Sequence, residues 1–318
     1  MPIPAQWLRL EDRSNKFFWL CRSGAPVANA RTQSLRREGA TPTRTQMKQI
    51  IMKHDYSLAH LTAMALPPVD LIEVAARTGY AYVGLRLSRV TDAEPLYPLI
   101  TSKTAMSATK ARLAATGVKV WDVELARMDP THDAESYIPM LEATAELGAK
   151  HVICQLPDPN RDRAHERFAK LCDYAKPLGI TISLEFPWWT ETGNLETATT
   201  VLNTVKRDNA ALLIDMLHFF RSNSSHEALK ALPREWFHFA HVCDGPKTIA
   251  PGLDSTLHEA RSDRLFPGDG AFGVKDILAC LPDPITYCLE IPGDALAAEI
   301  GFEEYARRAL QTAQKHLD

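Results

Sequence analysis

The sequence predicts an α/β fold, a (β/α)₈ barrel of the TIM type preceded by an N-terminal extension. Short apolar runs alternate with amphipathic runs over roughly 260 residues, enough for eight strand–helix units. Gly117, Gly148 and Gly179 each precede an apolar run, where the turn from a helix into a strand is needed. An open doubly wound sheet is the rival fold, but no G-x-G-x-x-G fingerprint follows any of the apolar runs.

Eight apolar runs of six to eight residues are predicted to be the barrel strands. Continuous apolar runs of this length are typical of strands in a parallel sheet, because such strands are buried on both faces. In chain order the predicted strands are Leu58–Ala65, Ala81–Leu87, Val118–Leu125, His151–Leu156, Ile180–Phe186, Ala211–Met216, Phe237–Cys243 and Ile285–Ile291.

Eight amphipathic runs are predicted to be the helices, and the first of them shows the reasoning. Pro67 and Pro68 lack the N–H group that a first helical turn leaves unpaired, so they suit a helix start. Gly79 suits the left-handed C-cap that ends the run. The predicted helices are Val69–Thr78, Lys103–Thr116, Ala134–Leu147, Arg163–Lys176, Leu195–Val205, Ser224–Leu232, Val274–Leu281 and Phe302–His316.

The first 52 residues differ from the rest of the chain. They contain many arginines and small polar residues without a sustained period, which predicts a poorly ordered extension or an accessory surface layer. Glu11, Asp12 and Glu38 count against an organelle transit peptide in this segment. The predicted domains are therefore an extension, residues 1–52, and a barrel, residues 53–318.

Composition narrows the functional classes. Hydrophobic residues make up 45% and charged residues 24% of the chain, the proportions of a globular protein. The net charge of −3 gives no reason to expect nucleic acid as a partner, and no run approaches the roughly 20 apolar residues that span a bilayer. The six cysteines are scattered without disulfide or metal-site spacing, which predicts buried free thiols and a cytoplasmic location.

Four consecutive predicted strands end in an ionisable residue, namely Glu185, Asp215, His241 and Glu290. Catalytic side chains of a (β/α)₈ barrel lie at the C-terminal ends of its strands. One such residue alone is most simply a strand-end salt bridge, but four in succession favour a metal site, because a charge ending an apolar run is costly unless compensated. Three carboxylates and an imidazole favour one Mn²⁺ or Mg²⁺ ion, with Co²⁺ or Zn²⁺ as alternatives.

Two further motifs accompany these residues: Asp215-x-x-His218, and the segment DRLFPGDG at 263–270. With the eight-unit layout, they resemble the xylose isomerase-like barrel superfamily, in its sugar-phosphate isomerase/epimerase branch, from about Tyr56 to the C-terminus. The resemblance implies metal ligation by Glu185, Asp215, His241 and Glu290. It further implies that Glu185 and Glu290 are the catalytic acid/base pair and that His218 and Arg264 contact substrate oxygens.

The resemblance implies a metal-dependent isomerase or epimerase that acts on a small sugar, keto sugar or hydroxy-keto acid through an enediolate. A metal-dependent dehydratase of a keto-cyclitol or dehydroshikimate-like compound is the alternative. A non-catalytic barrel is disfavoured because all four expected ligands are present, and an abasic-site endonuclease because its additional histidines are missing. The expected partner is a small polyhydroxy carbonyl compound, with neither nucleic acid nor a membrane; a homo-oligomer is compatible with the sequence.

Several other residues are expected at the mouth of the barrel. Glu124 ends the third predicted strand and Gln155 the fourth, and Glu124 is expected to face the substrate. The pair Trp188-Trp189 follows the fifth strand, and it is either a pocket wall, with Trp188 contacting the substrate, or buried structural packing. The insertion at 245–262 departs from the family pattern, and it is expected to cover or reshape the pocket. Its cationic residues are either anion-binding or simply solvated: Lys247, His258 and Arg261.

Overall fold

The computed structural model describes residues 8–11, 17–20 and 54–318. The chain divides into two compact units, Met1–Gln49 and Ile50–Asp318. In the first unit, strands β1 (Leu8–Glu11) and β2 (Phe17–Leu20) pair antiparallel. The remainder of the predicted extension, and the predicted boundary at residue 52, lie outside the described residues.

The second unit is built on a parallel sheet that closes into a barrel. The strand order is β8-β7-β6-β5-β4-β3-β11-β10-β9, with every pair parallel. The two edge strands β8 and β9 are separated by Leu213 alone, so they form one interrupted sixth strand, and the (β/α)₈ barrel is confirmed. The strands are β3 (Tyr56–Leu58), β4 (Tyr82–Arg86), β5 (Lys119–Arg127), β6 (His151–Gln155), β7 (Thr181–Glu185), β8 (Ala210–Leu212), β9 (Ile214–Asp215), β10 (Phe239–Val242) and β11 (Thr286–Leu289).

Helices surround the barrel, and local capping fixes where several of them begin and end. The Ser102 hydroxyl accepts the Ala105 N–H at 3.2 Å at the start of one helix, which ends at Gly117 with φ +79°. The helices are α1 (Pro68–Thr78), α2 (Lys103–Thr116), α3 (Ile138–Glu146), α4 (Arg161–Ala175), α5 (Leu195–Val205), α6 (Met216–Arg221), α7 (His226–Lys230), α8 (Leu253–Ser262), α9 (Val274–Leu278), α10 (Asp294–Ile300) and α11 (Phe302–Leu317).

Two predictions about the elements were wrong. The first strand is Tyr56–Leu58, and part of the predicted run Leu58–Ala65 is a 3₁₀ turn at His60–Ala63. An apolar run that is buried on all sides has no period that distinguishes a strand from a short helix. The sequence analysis also missed three helices, α6, α8 and α10, because they lie in loops where amphipathic runs are short.

The interior of the barrel is layered. Side chains two residues apart on a strand face the same side, so the residue two positions before each strand-end residue lies one layer deeper. Four of these deeper residues belong to a small apolar cluster separate from the main core. They form an apolar layer beneath the strand ends: Ile153, Leu213, Phe239 and Cys288.

Other expectations from composition meet the structure in part. Five cysteines lie in the described residues and are free and buried, as predicted; Cys21 lies outside them. Among the residues that the structure describes, no helix has the length and apolar composition needed to cross a membrane.

His60 is a buried histidine whose neutral form is built into the fold. Its Nδ1 accepts the Arg86 N–H at 2.9 Å, its Nε2 donates to the Leu66 carbonyl at 2.9 Å, and its ring stacks on Tyr97. Burial lowers the pKa of His60 from 6.5 to about 4; the Leu66 carbonyl opposes this shift and the Arg86 charge adds to it. Between these two pH values the unfolded chain binds a proton that the folded chain does not.

Acid is therefore expected to destabilise the protein through His60. Its contribution to the free energy of unfolding falls by about 2 kcal/mol between pH 7 and pH 5. In the variant His60→Gln, which keeps a donor toward Leu66, the pH dependence is expected to be shallower by that amount. Urea unfolding of both proteins at the two pH values measures the difference, and equal pH slopes would contradict the assignment.

Candidate metal centre and active site

Glu185, Asp215, His241 and Glu290 meet at the C-terminal mouth of the barrel. One ligand atom of each lies within 4.8 Å of the others, and all four side chains are buried. Strand register accounts for the convergence, because His241 on β10 is paired directly with Asp215 on β9, and Glu290 directly follows β11. Paired residues of neighbouring parallel strands point to the same face, here the inside of the barrel.

The imidazole of His241 lies at the centre of the three carboxylates. Its Nδ1 is 3.4 Å from Glu185 Oε1, 3.7 Å from Asp215 Oδ2 and 3.3 Å from Glu290 Oε2. Burial opposes a charge on the ring, but the three carboxylates outweigh it and raise the pKa of His241 well above its usual value. These surroundings therefore favour positive charge at the ring, either as a proton on His241 or as a metal ion bound by the neutral imidazole.

Asp215 is held by two different partners, one for each carboxylate oxygen. Oδ1 caps helix α6 by accepting the N–H groups of Leu217 and His218 at 2.8 and 3.2 Å. Oδ2 accepts from Arg264 at 2.7 Å. Burial would raise the pKa of Asp215, but Arg264, His218 and His241 hold it well below its usual value. The carboxylate is therefore ionised and fixed in orientation.

Arg264 connects two of the carboxylates. Its guanidinium lies 2.7 Å from Asp215 Oδ2 and 3.0 Å from Glu290 Oε2, and its Nε donates to the Ala260 carbonyl at 2.9 Å. The sequence analysis assigned Arg264 to substrate oxygens. It does line the pocket, but its bonds within the protein make it chiefly a partner of Asp215 and Glu290.

Gln155 orients the third carboxylate. Its Nε2 donates to Glu185 Oε2 at 2.6 Å across the register pair of β6 and β7. Glu185 Oε1 is left to face His241. The prediction that Gln155 lies at the same mouth as the four strand-end residues is consistent with this contact.

Asp122 and Glu124 extend the acidic cluster on β5. Asp122, Glu124 and His241 also bring one ligand atom each within 4.8 Å of one another. Burial raises the pKa of Glu124 to about 8 against the pull of Arg86, which is 3.0 Å away. The sequence analysis included Glu124 but missed Asp122, although alternation within β5 places both on the inner face.

A pocket opens above this cluster. The space between its lining atoms is about 630 Å³ when its open side is included. Glu124, His218 and Trp189 line it, and the contact of Glu124 and His218 with substrate stays a prediction. The Trp189 ring lies edge-to-face against His218 at 5.1 Å. Trp188, expected to face the substrate, packs against the core and is not part of the lining.

The PGDG segment at 267–270 is a structural loop fixed by Asp244. The Asp244 carboxylate accepts the N–H groups of Gly268 and Phe272, both at 3.0 Å. A Cβ atom at Gly270 would come within 2.3 Å of Asp244 Oδ1 and 2.4 Å of the Gly245 carbonyl. Glycine is therefore required by this close approach, and Asp244 organises the loop from outside the four-residue cluster.

The insertion at 245–262 is anchored to the barrel through helix α8. Glu259 on α8 forms a buried ion pair with Arg221 on α6, and Arg221 also donates to the carbonyls of Pro246 and Lys247. Arg261 lines the pocket, whereas Lys247 and His258 do not. The insertion contributes Ala260 and Arg261 of α8 to the pocket lining, and its effect on the shape of the pocket stays a prediction.

The residues of the cluster fit a divalent metal ion. Three carboxylates and an imidazole are a common donor set for such ions. Neither nitrogen of the buried His241 ring has a hydrogen-bond partner among the described residues, and buried polar atoms are rarely left in that state. The cluster can therefore hold a divalent ion. Its identity is not fixed by the donor set.

The fold and this cluster define a class of (β/α)₈ barrels in which buried carboxylates and an imidazole converge at the C-terminal mouth, below a pocket. Residues 72–315 match the family described as xylose isomerase-like TIM barrel, and the chain belongs to that family. The resemblance predicted from the sequence motifs is thereby confirmed.

Relatives indicate the chemistry that the family performs. Inosose isomerase of Bacillus subtilis (strain 168) is 29% identical over 191 residues, 55% of this chain; the chain spans 64% of that relative. The solved IolI protein with a zinc atom has a TM-score of 0.69 at 20% identity, covering 83% of this chain and 98% of that chain. The probable 3-DHS dehydratase AsbF of Bacillus anthracis has a TM-score of 0.64 at 15% identity, covering 83% and 100%. The two structures show the fold, and the family is one of sugar isomerase/epimerase-like barrels.

Proposed function

We propose that this protein is a divalent-metal-dependent isomerase or epimerase of a small polyhydroxy carbonyl compound. The observation that carries the proposal is the buried cluster of Glu185, Asp215, His241 and Glu290 below an open pocket lined by polar and charged side chains. The inosose isomerase relative supports an isomerase, and the zinc-bearing IolI structure supports a bound divalent ion.

The four cluster residues would hold the ion, with Mn²⁺ or Mg²⁺ favoured by the carboxylates and Co²⁺ or Zn²⁺ as alternatives. When bound, such an ion stabilises negative charge on a substrate oxygen and makes the neighbouring C–H group more acidic. Arg264 keeps Asp215 and Glu290 oriented, and Gln155 keeps Glu185 oriented. Because these carboxylates are already oriented, they need not rearrange during the reaction.

Glu185 and Glu290 are the proposed acid/base pair. They reach the pocket from β7 and from the end of β11, with the interrupted sixth strand and β10 between them. The two carboxylates therefore approach a bound substrate from different sides, so one takes a proton from carbon while the other delivers one. His218 lies beside Trp189 in the pocket lining. It is the proposed hydrogen-bond donor to a substrate hydroxyl.

A dehydratase is the second candidate. The carbanion that remains after a proton is taken from carbon can instead expel a β-hydroxyl group as water, if a neighbouring acid protonates that hydroxyl group. Glu124 presents a buried carboxyl group in the pocket lining and could be this acid. The likeness to the probable 3-DHS dehydratase supports this candidate. A Glu124→Gln variant that keeps proton exchange but loses water elimination would identify the lyase. A cytoplasmic location and a homo-oligomer remain predictions.

Proton exchange with solvent tests the proposal directly. Metal-loaded protein is incubated in deuterium oxide with ketoses, keto acids and keto-cyclitols, and deuterium at the carbon next to the carbonyl is measured by mass spectrometry. We expect incorporation that stops when a chelator removes the ion and returns when the ion is restored. Protein that binds the ion but exchanges no proton on any of these compounds would contradict an isomerase.

A further inference from the structure

The pocket lining contains four arginines, and two of them lie directly against buried carboxylates. Arg264 lies against Asp215 and Glu290, and Arg86 lies 3.0 Å from Glu124. The outer lining still contains Arg127 and Arg261. An arginine remains charged at any physiological pH, so these two add positive charge to the lining, which Glu94 in the same lining offsets in part.

Arg261 has no ion-pair partner within 4 Å among the residues at 54–318 that the structure describes. Glu94 is the acidic group whose charge affects the pKa of Arg261. The Glu94 carboxylate accepts the Val90 N–H at 3.0 Å and lies 3.9 Å from Arg86. Burial lowers the pKa of Arg261, Glu94 opposes that shift, and the neighbouring charges of Arg127 and Arg86 add to it. A half-buried guanidinium that is repelled by its neighbours is a site of positive potential.

Arg127 is only loosely paired. Its guanidinium is 3.6 Å from Asp129 Oδ2, while Asp129 Oδ1 already accepts from the backbone and hydroxyl of Thr131 and from the His132 backbone. A side chain 36% exposed at this position can turn toward a ligand in the pocket. Arg127 is therefore available as a second cation beside Arg261.

Arg261 is also held in place. It lies in the last turn of α8, next to Ala260, whose carbonyl accepts from Arg264 at 2.9 Å. The buried Arg221–Glu259 ion pair fixes the same turn to α6. A cation on a rigid element loses little conformational entropy when it binds a ligand, which distinguishes Arg261 from an arginine on a solvated loop.

We propose that Arg261 and Arg127 form an anion-binding subsite, so that the substrate carries a carboxylate or phosphate group remote from its reacting carbonyl. This inference rests on the proposed function and specifies its substrate class. The planar guanidinium of arginine can bond either a carboxylate or a phosphate through two N–H groups. The metal cluster then binds the carbonyl end of the substrate, and the rim binds the anionic end.

Binding of three matched ligands tests the subsite: D-fructose, D-fructuronate and D-fructose 6-phosphate. They share the carbonyl group and differ at the remote carbon, which carries a hydroxyl, a carboxylate or a phosphate. Dissociation constants are measured by ligand-observed NMR with the full-length protein, both Mn²⁺-loaded and chelator-treated. We expect at least one anionic ligand to bind about tenfold or more tightly than D-fructose in both forms.

The variant Arg261→Gln is expected to abolish this preference, and Arg261→Lys to restore part of it. Arg308→Gln, an exposed arginine on α11 that pairs with Glu304, is the matched control and keeps the preference. Tighter binding of D-fructuronate would indicate a carboxylate substrate, and tighter binding of D-fructose 6-phosphate a phosphorylated one.

Equal binding of all three ligands to the wild type, including no detectable binding of any, would overturn the subsite, as would an unchanged preference in Arg261→Gln. Failure of the proposed function looks different: the preference that depends on Arg261 is present, but no metal-dependent proton exchange accompanies it.

Discussion

Replacing Glu290 by alanine is expected to remove the divalent ion from the protein and to abolish proton exchange. Glu290 Oε2 lies 3.3 Å from His241 Nδ1, at the centre of the four-residue cluster. Even a residue that only supports a ligand changes metal affinity by about 10–100-fold, so loss of a ligand is expected to cost more. Loss of an acid/base group removes a further factor of about 10²–10⁴ in rate.

Metal content per chain is the first measurement, made on wild type and Glu290→Ala with and without a chelator wash. We expect about one Mn, Mg, Co or Zn per wild-type chain and much less in the variant. Glu299→Ala, an exposed position on α10, controls for loss of a carboxylate elsewhere and should keep the metal. A wild type that takes up no divalent ion would refute the metal centre.

Replacing Arg264 by methionine is expected to destabilise the metal-free protein by about 3–5 kcal/mol in free energy of unfolding. The side chain is 2% exposed, and its loss leaves the buried carboxylates of Asp215 and Glu290 without their nearest cation. A divalent ion compensates the same carboxylates and binds only the folded state. The loss of stability is therefore expected to be smaller when metal is bound.

Urea unfolding in chelator and in Mn²⁺ measures both effects of the Arg264 substitution. Arg308→Met removes an exposed ion pair with Glu304, and it should cost less than about 1 kcal/mol in either condition. If Arg264→Met were as stable as the wild type in chelator, Arg264 would not be a structural partner of the carboxylates. A destabilisation of the same size with and without Mn²⁺ would indicate that no ion binds beside it.

Helix limits and barrel topology were predictable where local signals are strong. The limits of α2 and α5 agree with the prediction because Ser102 and Asn194 cap their first turns through side-chain hydrogen bonds. The run beginning at Leu58 was wrong because hydrophobicity does not report whether His60 enters a strand or a 3₁₀ turn. Helix α8 was missed because its sequence reads as a polar loop.

Some residues of the candidate site were likewise predictable from the sequence, whereas the contacts between them were not. Glu185, Asp215, His241 and Glu290 could be selected from sequence because each ends an apolar run, and strand ends of a barrel converge. The contact of Arg264 with Asp215 joins residues 49 positions apart, and nothing in the local sequence reports that distance. The choice between Trp188 and Trp189 likewise depends on how the chain turns after β7.

The floor and the wall of the pocket belong to separable parts of the chain. The four cluster residues lie at strand ends, whereas part of the wall is the ten-residue helix α8, which contains none of them. Mutations in α8 that preserve the Arg221–Glu259 ion pair can therefore alter substrate range without touching the residues proposed to move the proton. This division makes α8 the natural target for directed evolution of the proposed isomerase, because its side chains can be varied while the four strand-end residues are kept.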